Sequence, residues 1–293
     1  MKKLTWGIVI VLLAIAVIAA AQQQPPYPTY EPKKMPVQIE NLTHTEIYDA
    51  IHHRGYTTVL VYNGGTEQRG PQDVLGGHTF IAYGKAERLA QKLGNALVAP
   101  VLPFSPNEAD EKMPGTIGLT EPIFKAVNER VVDQMVKNGF KDIVLTGDHG
   151  GGQKELEELA NEADKKYSAR GVHVYFCGDV YEKSHNDFDK YLTEHKLPLS
   201  SHAGIPDTSE LLLLQPKPGA WVRPIYKSVY GDPVPPPGQR EDSANNKISN
   251  GITGDPRPSS VELGKIDMDI VVTNGYNQIT KMIAEKRKAS DNH

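Results

Sequence analysis

The stretch Ile143–Asp164, "IVLTGDHGGGQKELEELANEAD", decides the fold. Ile143, Val144 and Leu145 predict a short buried strand. Lys154 to Asp164 is rich in good helix formers, with Leu156 and Leu159 on one face. Between strand and helix stand Asp148, His149 and three glycines. Glycine permits unusual dihedrals and close backbone approach. In open α/β sheets, ligands collect beyond the carboxyl ends of the strands. An acid and a histidine at this junction are therefore placed for chemistry.

The same alternation extends in both directions. "NLTHTEIYDAIHHRG" predicts a capped helix, with Thr43 as N-cap and Glu46 three residues on. "YTTVLVYNGG" and "NALVAPVLPF" predict strands, and "TFIAYGKAERLAQKLG" a helix stopped by Gly94. "TEPIFKAVNERVVDQMVKNGF" predicts a helix with Pro122 in its first turn, "VHVYFCG" another strand, and "SSVELGKIDMDIVVTNGYNQITKMIAEKRK" a closing helix. Strands alternating with helices imply a largely parallel sheet covered on both faces, a three-layer α/β/α sandwich. Tyr226–Ser260 is rich in Pro, Gly, Asn and Asp and reads as a functional or flexible loop.

Bulk properties narrow the function. The chain has 293 residues, 39% hydrophobic and 23% charged, which suits one sizeable α/β domain. A formal charge of -4, with no basic stripe interleaved with aromatics, excludes nucleic acid as an expected partner. The single cysteine, Cys177, excludes an intramolecular disulfide and a cysteine-based zinc cluster. Lys2 and Lys3, the apolar run Leu4–Ala21 and the three alanines ending it predict a secretory signal cleaved after Ala21. The protein is thus expected in the periplasm or secreted, and at a membrane only if that segment stays uncleaved. The expected organisation is a signal over 1–21, a proline-rich leader over 22–40 and an α/β domain over 41–293.

Four segments read as loops carry the chemistry: "NGGTEQRGPQDVLGGH", "SPNEADEKMPGTIGL", "GDHGGGQ" and "SSHAGIPDTSELLL". They hold Glu67, His78, Asp110, His149, His202 and Asp207. Mixed carboxylate and imidazole ligands suit zinc or manganese, and with an open position they activate a water. There is no G-x-S-x-G elbow, no phosphate loop and no G-x-G-x-x-G after a strand.

In order, these segments resemble the creatininase (creatinine amidohydrolase) family. Its G-S-T-E-Q-H-G-P-H-x-P-L-G-T-D, P-G-T-[IV]-S-L, N-G-H-G-G-N and H-A-G-x-x-E-T-S elements correspond to "GGTEQRGPQDVLGGH", "PGTIGL", "GDHGGGQ" and "HAGIPDTS". "GITGDPRPSSVELGK" resembles a fifth element, so the likeness runs from about Asn41 to Ile283. It implies a creatininase-like fold, a homo-oligomer, and hydrolysis of a C–N amide bond in a small molecule by two divalent metals with a bridging water. Glu67 and His149 match family ligands. Arg69 stands where a histidine ligand is expected, and a guanidinium offers no lone pair. His78 replaces a bridging aspartate, Asp148 a glycine, Asp207 a glutamate, and Asp110 falls near a usual histidine. The resemblance therefore implies one metal, zinc or manganese, held by Glu67, His78 and His149 with Asp207. Arg69 supplies a fixed positive charge for an oxyanion or a substrate carboxylate. His202 matches the histidine beside the metals and would protonate the leaving nitrogen. Two other readings stay open: an inactive binding or structural relative, and a rewired or metal-free hydrolase using Arg69, His202 and Asp148. The resemblance also implies aromatic contacts to creatinine, and Trp221 is the one tryptophan beyond the expected signal, so creatinine itself is not the expected substrate.

Overall fold

The structure, a computed structural model, describes residues 35–107, 112–234 and 250–291. The expected signal, most of the leader, Asp110 and the middle of the Tyr226–Ser260 stretch lie outside the described residues.

Four parallel strands form the sheet: β1 (Thr58–Asn63), β2 (Ala96–Val98), β3 (Asp142–Gly147) and β4 (His173–Phe176). Their order is β2-β1-β3-β4, with Thr58 paired to Asp142 and Asn63 to Gly147 in the central register. Every residue of β1 and β3 is buried, as strands covered on both faces require. Alternation divides them: Val59, Val61, Ile143 and Leu145 enter one apolar cluster, and Leu60, Tyr62 and Val144 the other.

The first layer is α1 (His44–His53), α3 (Glu121–Asn138) and α4 (Gln153–Tyr167). Thr43 and Glu46 cap α1 reciprocally, as the sequence predicts. The second layer holds α2 (Gly77–Leu93) and the 31-residue α7 (Val261–Asp291). Beside it lie α5 (Glu182–Glu194) and α6 (Ile205–Leu214). This is the α/β/α sandwich expected from the alternation.

Three local expectations need correction. The strand expected over Asn95–Phe104 has only three ladder residues, because Pro100 and Pro103 donate no hydrogen bond. "SSHAGIPDTSELLL" is not wholly loop. Gly204 and Pro206 start α6 there, and Asp207 sits in its first turn, where a negative charge suits the helix dipole. Helix α5 has no counterpart in the sequence reading, since its apolar face reduces to Phe188 and Leu192 in a polar segment.

Strand order places the site. The chain leaves β1 toward β2 on one side and crosses to β3 on the other, so the order reverses between β1 and β3. A crevice opens beyond the carboxyl ends of strands at such a reversal. The loop after β1 carries Glu67 and Arg69, and the turn after β3 carries Asp148 and His149.

Candidate metal centre

Two glycines explain the turn after β3. A Cβ on Gly151 would lie 1.9 Å from the Pro106 carbonyl oxygen, and Gly152 adopts φ +95°. Only glycine meets both demands cheaply. The tight turn lets His149 point inward, and the Gln153 side-chain amide donates to the carbonyls of Gly147 and His149 to hold it. His78 reaches the same place from the first turn of α2, not from a loop.

Glu67 is the hub. Its Oε1 lies 2.9 Å from His78 Nε2, and its Oε2 lies 2.7 Å from His149 Nε2. One ligand atom from each of Glu67, His78 and His149 falls within 4.8 Å of the others, and all three residues are buried. Burial alone would raise the Glu67 pKa, but hydrogen bonds to His149 and His78 carry it well below the usual carboxylate range. His78 is pushed down by burial and by Arg69, yet its bonds to Asp148 and Glu67 prevail and raise it to about 9.

The partners behind these histidines are those a metal ligand needs. His78 Nδ1 lies 2.8 Å from Asp148 Oδ2, leaving Nε2 for the centre. His149 Nδ1 accepts from the Gly151 N–H at 2.9 Å and lies 3.2 Å from the Gly151 carbonyl, so either tautomer finds a partner. Ring orientation and tautomer in metal sites are set by such contacts. The donor set and its surroundings fit one divalent ion.

Among the described residues this is the one such group. Arg69 is fully buried, with Nη2 2.7 Å from Asp207 Oδ2 and Nη1 3.8 Å from Glu67 Oε1. Burial would lower its pKa, but Asp207 and Glu67 raise it, so it is a permanent cation. Among the described residues none of its nitrogens has a hydrogen-bond acceptor, and Nη2 meets Asp207 as an ion pair. Asp207 stands outside the Glu67–His78–His149 group. It pairs with Arg69 and accepts the Ala203 N–H at 2.7 Å. Ala203 is held in the left-handed region at φ +54°, a strained turn that presents His202.

His202 Nδ1 lies 3.3 Å from Glu67 Oε1, and its Nε2 donates to the Gln68 carbonyl at 2.7 Å. At 18% exposure, its side chain is more open than those of Glu67, His78 and His149. Asp148 has both oxygens engaged, Oδ2 by His78 and Oδ1 by Lys85 Nζ at 2.7 Å. It thus holds His78 and Lys85 at once. Lys85 also meets Glu210 Oε2 at 2.9 Å. Sequence reasoning missed Lys85 and Glu210. The one available signal is that Lys85 falls seven residues after His78, two turns along one helix face. A separate cavity of about 840 Å³ runs beside β4 and is lined by Glu157, Asp164, Lys183, Glu285 and others, but by none of the candidate site residues.

The family model described as creatininase, creatinine amidohydrolase, matches residues 40–279, and the chain belongs to that family. No curated protein sequence matches it. A crystal structure of creatinine amidohydrolase (creatininase) is similar over 85% of this chain and 98% of its own, with 20% identity and TM-score 0.67. A structure titled creatininase Mn is similar over 85% and 99%, with 19% identity and TM-score 0.67. A glutamate-to-glutamine creatininase variant is described as Zn–Zn type in one structure and as complexed with creatine in another. Both cover 85% of this chain and 99% of their own at TM-score 0.66, with 20% and 19% identity. At these identities the likeness is one of fold.

Proposed function

We propose that this member of the creatininase family hydrolyses a C–N amide bond, cyclic or linear, in a small molecule, with one divalent ion per chain. The observation that carries the reading is the buried convergence of Glu67, His78 and His149 where the strand order reverses. One carboxylate and two imidazoles favour zinc, with manganese as the alternative that a relative's title supports. When bound, such an ion supplies a Lewis acid and a water of lowered pKa.

The chain's own residues do the rest. Glu67, His78 and His149 hold the ion, and Asp148 fixes the His78 ring. Arg69 stands 3.8 Å from Glu67 with unpartnered N–H groups, so its charge balances negative oxygen developing at the scissile carbonyl. Because it is fully buried, it acts through its charge and not by reaching for a distant substrate carboxylate. His202 turns Nδ1 toward the centre and is the more open imidazole, which suits it to protonate the leaving nitrogen.

Metal analysis of the purified chain, followed by an amide panel that includes cyclic ureides and creatine-like guanidino compounds, tests the reading. The expected result is about one ion per chain and turnover lost on chelation. Two ions per chain would overturn the role of Arg69. No ion and no turnover would favour the inactive relative. Export after cleavage near Ala21 and assembly into a homo-oligomer belong to the same proposal. Intact mass from the cell envelope and light scattering of the purified protein test them.

A further inference from the structure

The residues behind the metal centre form a line in which acidic and basic side chains alternate. Glu67 meets His78, His78 meets Asp148 at 2.8 Å, Asp148 meets Lys85 at 2.7 Å, and Lys85 meets Glu210 at 2.9 Å. All five are buried. The line joins four segments, since Glu67 follows β1, His78 and Lys85 share one face of α2, Asp148 follows β3, and Glu210 lies on α6. Beyond it Asp267 of α7 and His185 of α5 help line a cavity of about 10 Å³, at the lower limit of what one water needs.

Burying an ammonium group is expensive unless its charge is answered. Lys85 meets two carboxyl groups, yet one of them is the carboxylate that already holds a candidate ligand. That carboxylate has two oxygens and two tasks. Oδ2 faces His78 Nδ1, and Oδ1 faces Lys85 Nζ. Once an ion occupies His78 Nε2, His78 is a neutral donor. Lys85 is then the full positive charge in direct contact with Asp148 among the described residues. Without it, a buried carboxylate would rest on the Nδ1–H of one neutral ring and would have reason to turn away.

We propose that Lys85 is a positioning residue of the metal centre: it anchors Asp148 Oδ1, so that Asp148 Oδ2 holds His78 Nδ1 and His78 Nε2 stays aimed at the ion. The proposal rests on the one-ion reading above. It assigns Lys85 no contact with ion or substrate.

The test measures affinity for zinc, by competition with a chromogenic chelator, and the visible absorption of the cobalt-loaded full-length chain. Wild type is compared with Lys85→Met, Lys85→Arg, Asp148→Asn and the double variant Lys85→Met/Asp148→Asn. Outer partners of ligating histidines are worth about 10–100-fold in metal affinity. Lys85→Met is expected to lose affinity in that range and to alter the cobalt bands, which report ligand geometry and not global stability. Lys85→Arg keeps the charge and should recover part of the loss. The double variant should bind no more weakly than Asp148→Asn alone, because Lys85 acts through Asp148.

Lys85→Met with affinity within about twofold of wild type and unchanged bands would overturn the proposal while leaving the one-ion reading intact. Fully additive losses in the double variant would overturn the route through Asp148. Should Lys85→Met fail to fold, the cobalt bands of Lys85→Arg and Asp148→Asn decide: wild-type bands in both overturn the proposal. A wild-type chain that takes no zinc or cobalt overturns the one-ion reading itself, and this proposal with it.

Discussion

The two sides of Glu67 are built to opposite plans. On one side, two imidazoles converge on its carboxylate with their outer nitrogens already partnered. On the other, Arg69 lies against Asp207 and brings its own positive charge. On the first side, an incoming divalent ion would have to replace the proton on His78. The second needs none, because its cation is covalently part of the chain. In the one-ion proposal above, Arg69 thus supplies part of the positive charge that a second ion would bring. The cost is mobility, since a guanidinium cannot exchange or carry a water.

The largest effect that could break this comparison is at the hub. Glu67→Ala should reduce metal content from about one ion per chain to about none, because it removes the ligand that both histidines face. If metal content is retained, the ion sits elsewhere. His202→Ala comes next. It should leave metal content intact and slow turnover by about 10²–10⁴-fold, the usual worth of a positioned proton donor. A variant that loses the ion instead would make His202 a ligand.

Arg69→Leu tests the other side. It strands Asp207 without its cation, and breaking a buried pair by removing one partner costs about 3–5 kcal/mol of stability. Chemical denaturation with metal present and absent should show that loss in both states. Metal content should hold at about one ion, since Arg69 is not a ligand. A gain of metal in Arg69→His, which restores the family's ligand type, would sharpen the contrast differently. It would show that the second side still has the shape of an ion site.

How much of this was legible beforehand follows the physics of each signal. The sheet and its covering helices were readable because β1 and β3 are unbroken apolar runs and α2 and α3 end at glycines, at Gly94 and Gly139. Glu67, His78 and His149 were readable because their motifs are local and flank strands. Helix α5 was not, since its buried face reduces to Phe188, Leu192 and two small or acidic residues, Ser184 and Asp189. The partnership of Asp207 with Arg69 was hidden for another reason. A shortened acid near a motif glutamate looks like a weakened ligand, and only the fold shows the guanidinium that occupies it. Lys85 was hidden too, because a lysine in an amphipathic helix ordinarily faces water, as Lys92 on the same helix does.

The smallest effect is graded by pH, and it distinguishes the two sides because only one of them has a slope. In the metal-free centre, His78, Arg69 and Lys85 are cations, set against the carboxylates of Glu67, Asp148 and Asp207. Burial and Arg69 oppose the charge on His78, but Asp148 and Glu67 raise its pKa to about 9. Its folded value lies above its unfolded one, so its contribution to metal-free stability is full below about pH 6.5 and is lost as pH climbs through 9. A divalent ion must displace that same proton. Apparent metal affinity should therefore rise about tenfold per pH unit and level off near pH 9, in the window where metal-free stability falls. Arg69 holds its proton throughout, so the Arg69–Asp207 side contributes no slope there. Metal titrations from pH 6 to pH 10, with denaturation of the metal-free chain at each point, measure both curves. A flat affinity profile would mean that no proton leaves when the ion enters, and His78 would then not be a ligand.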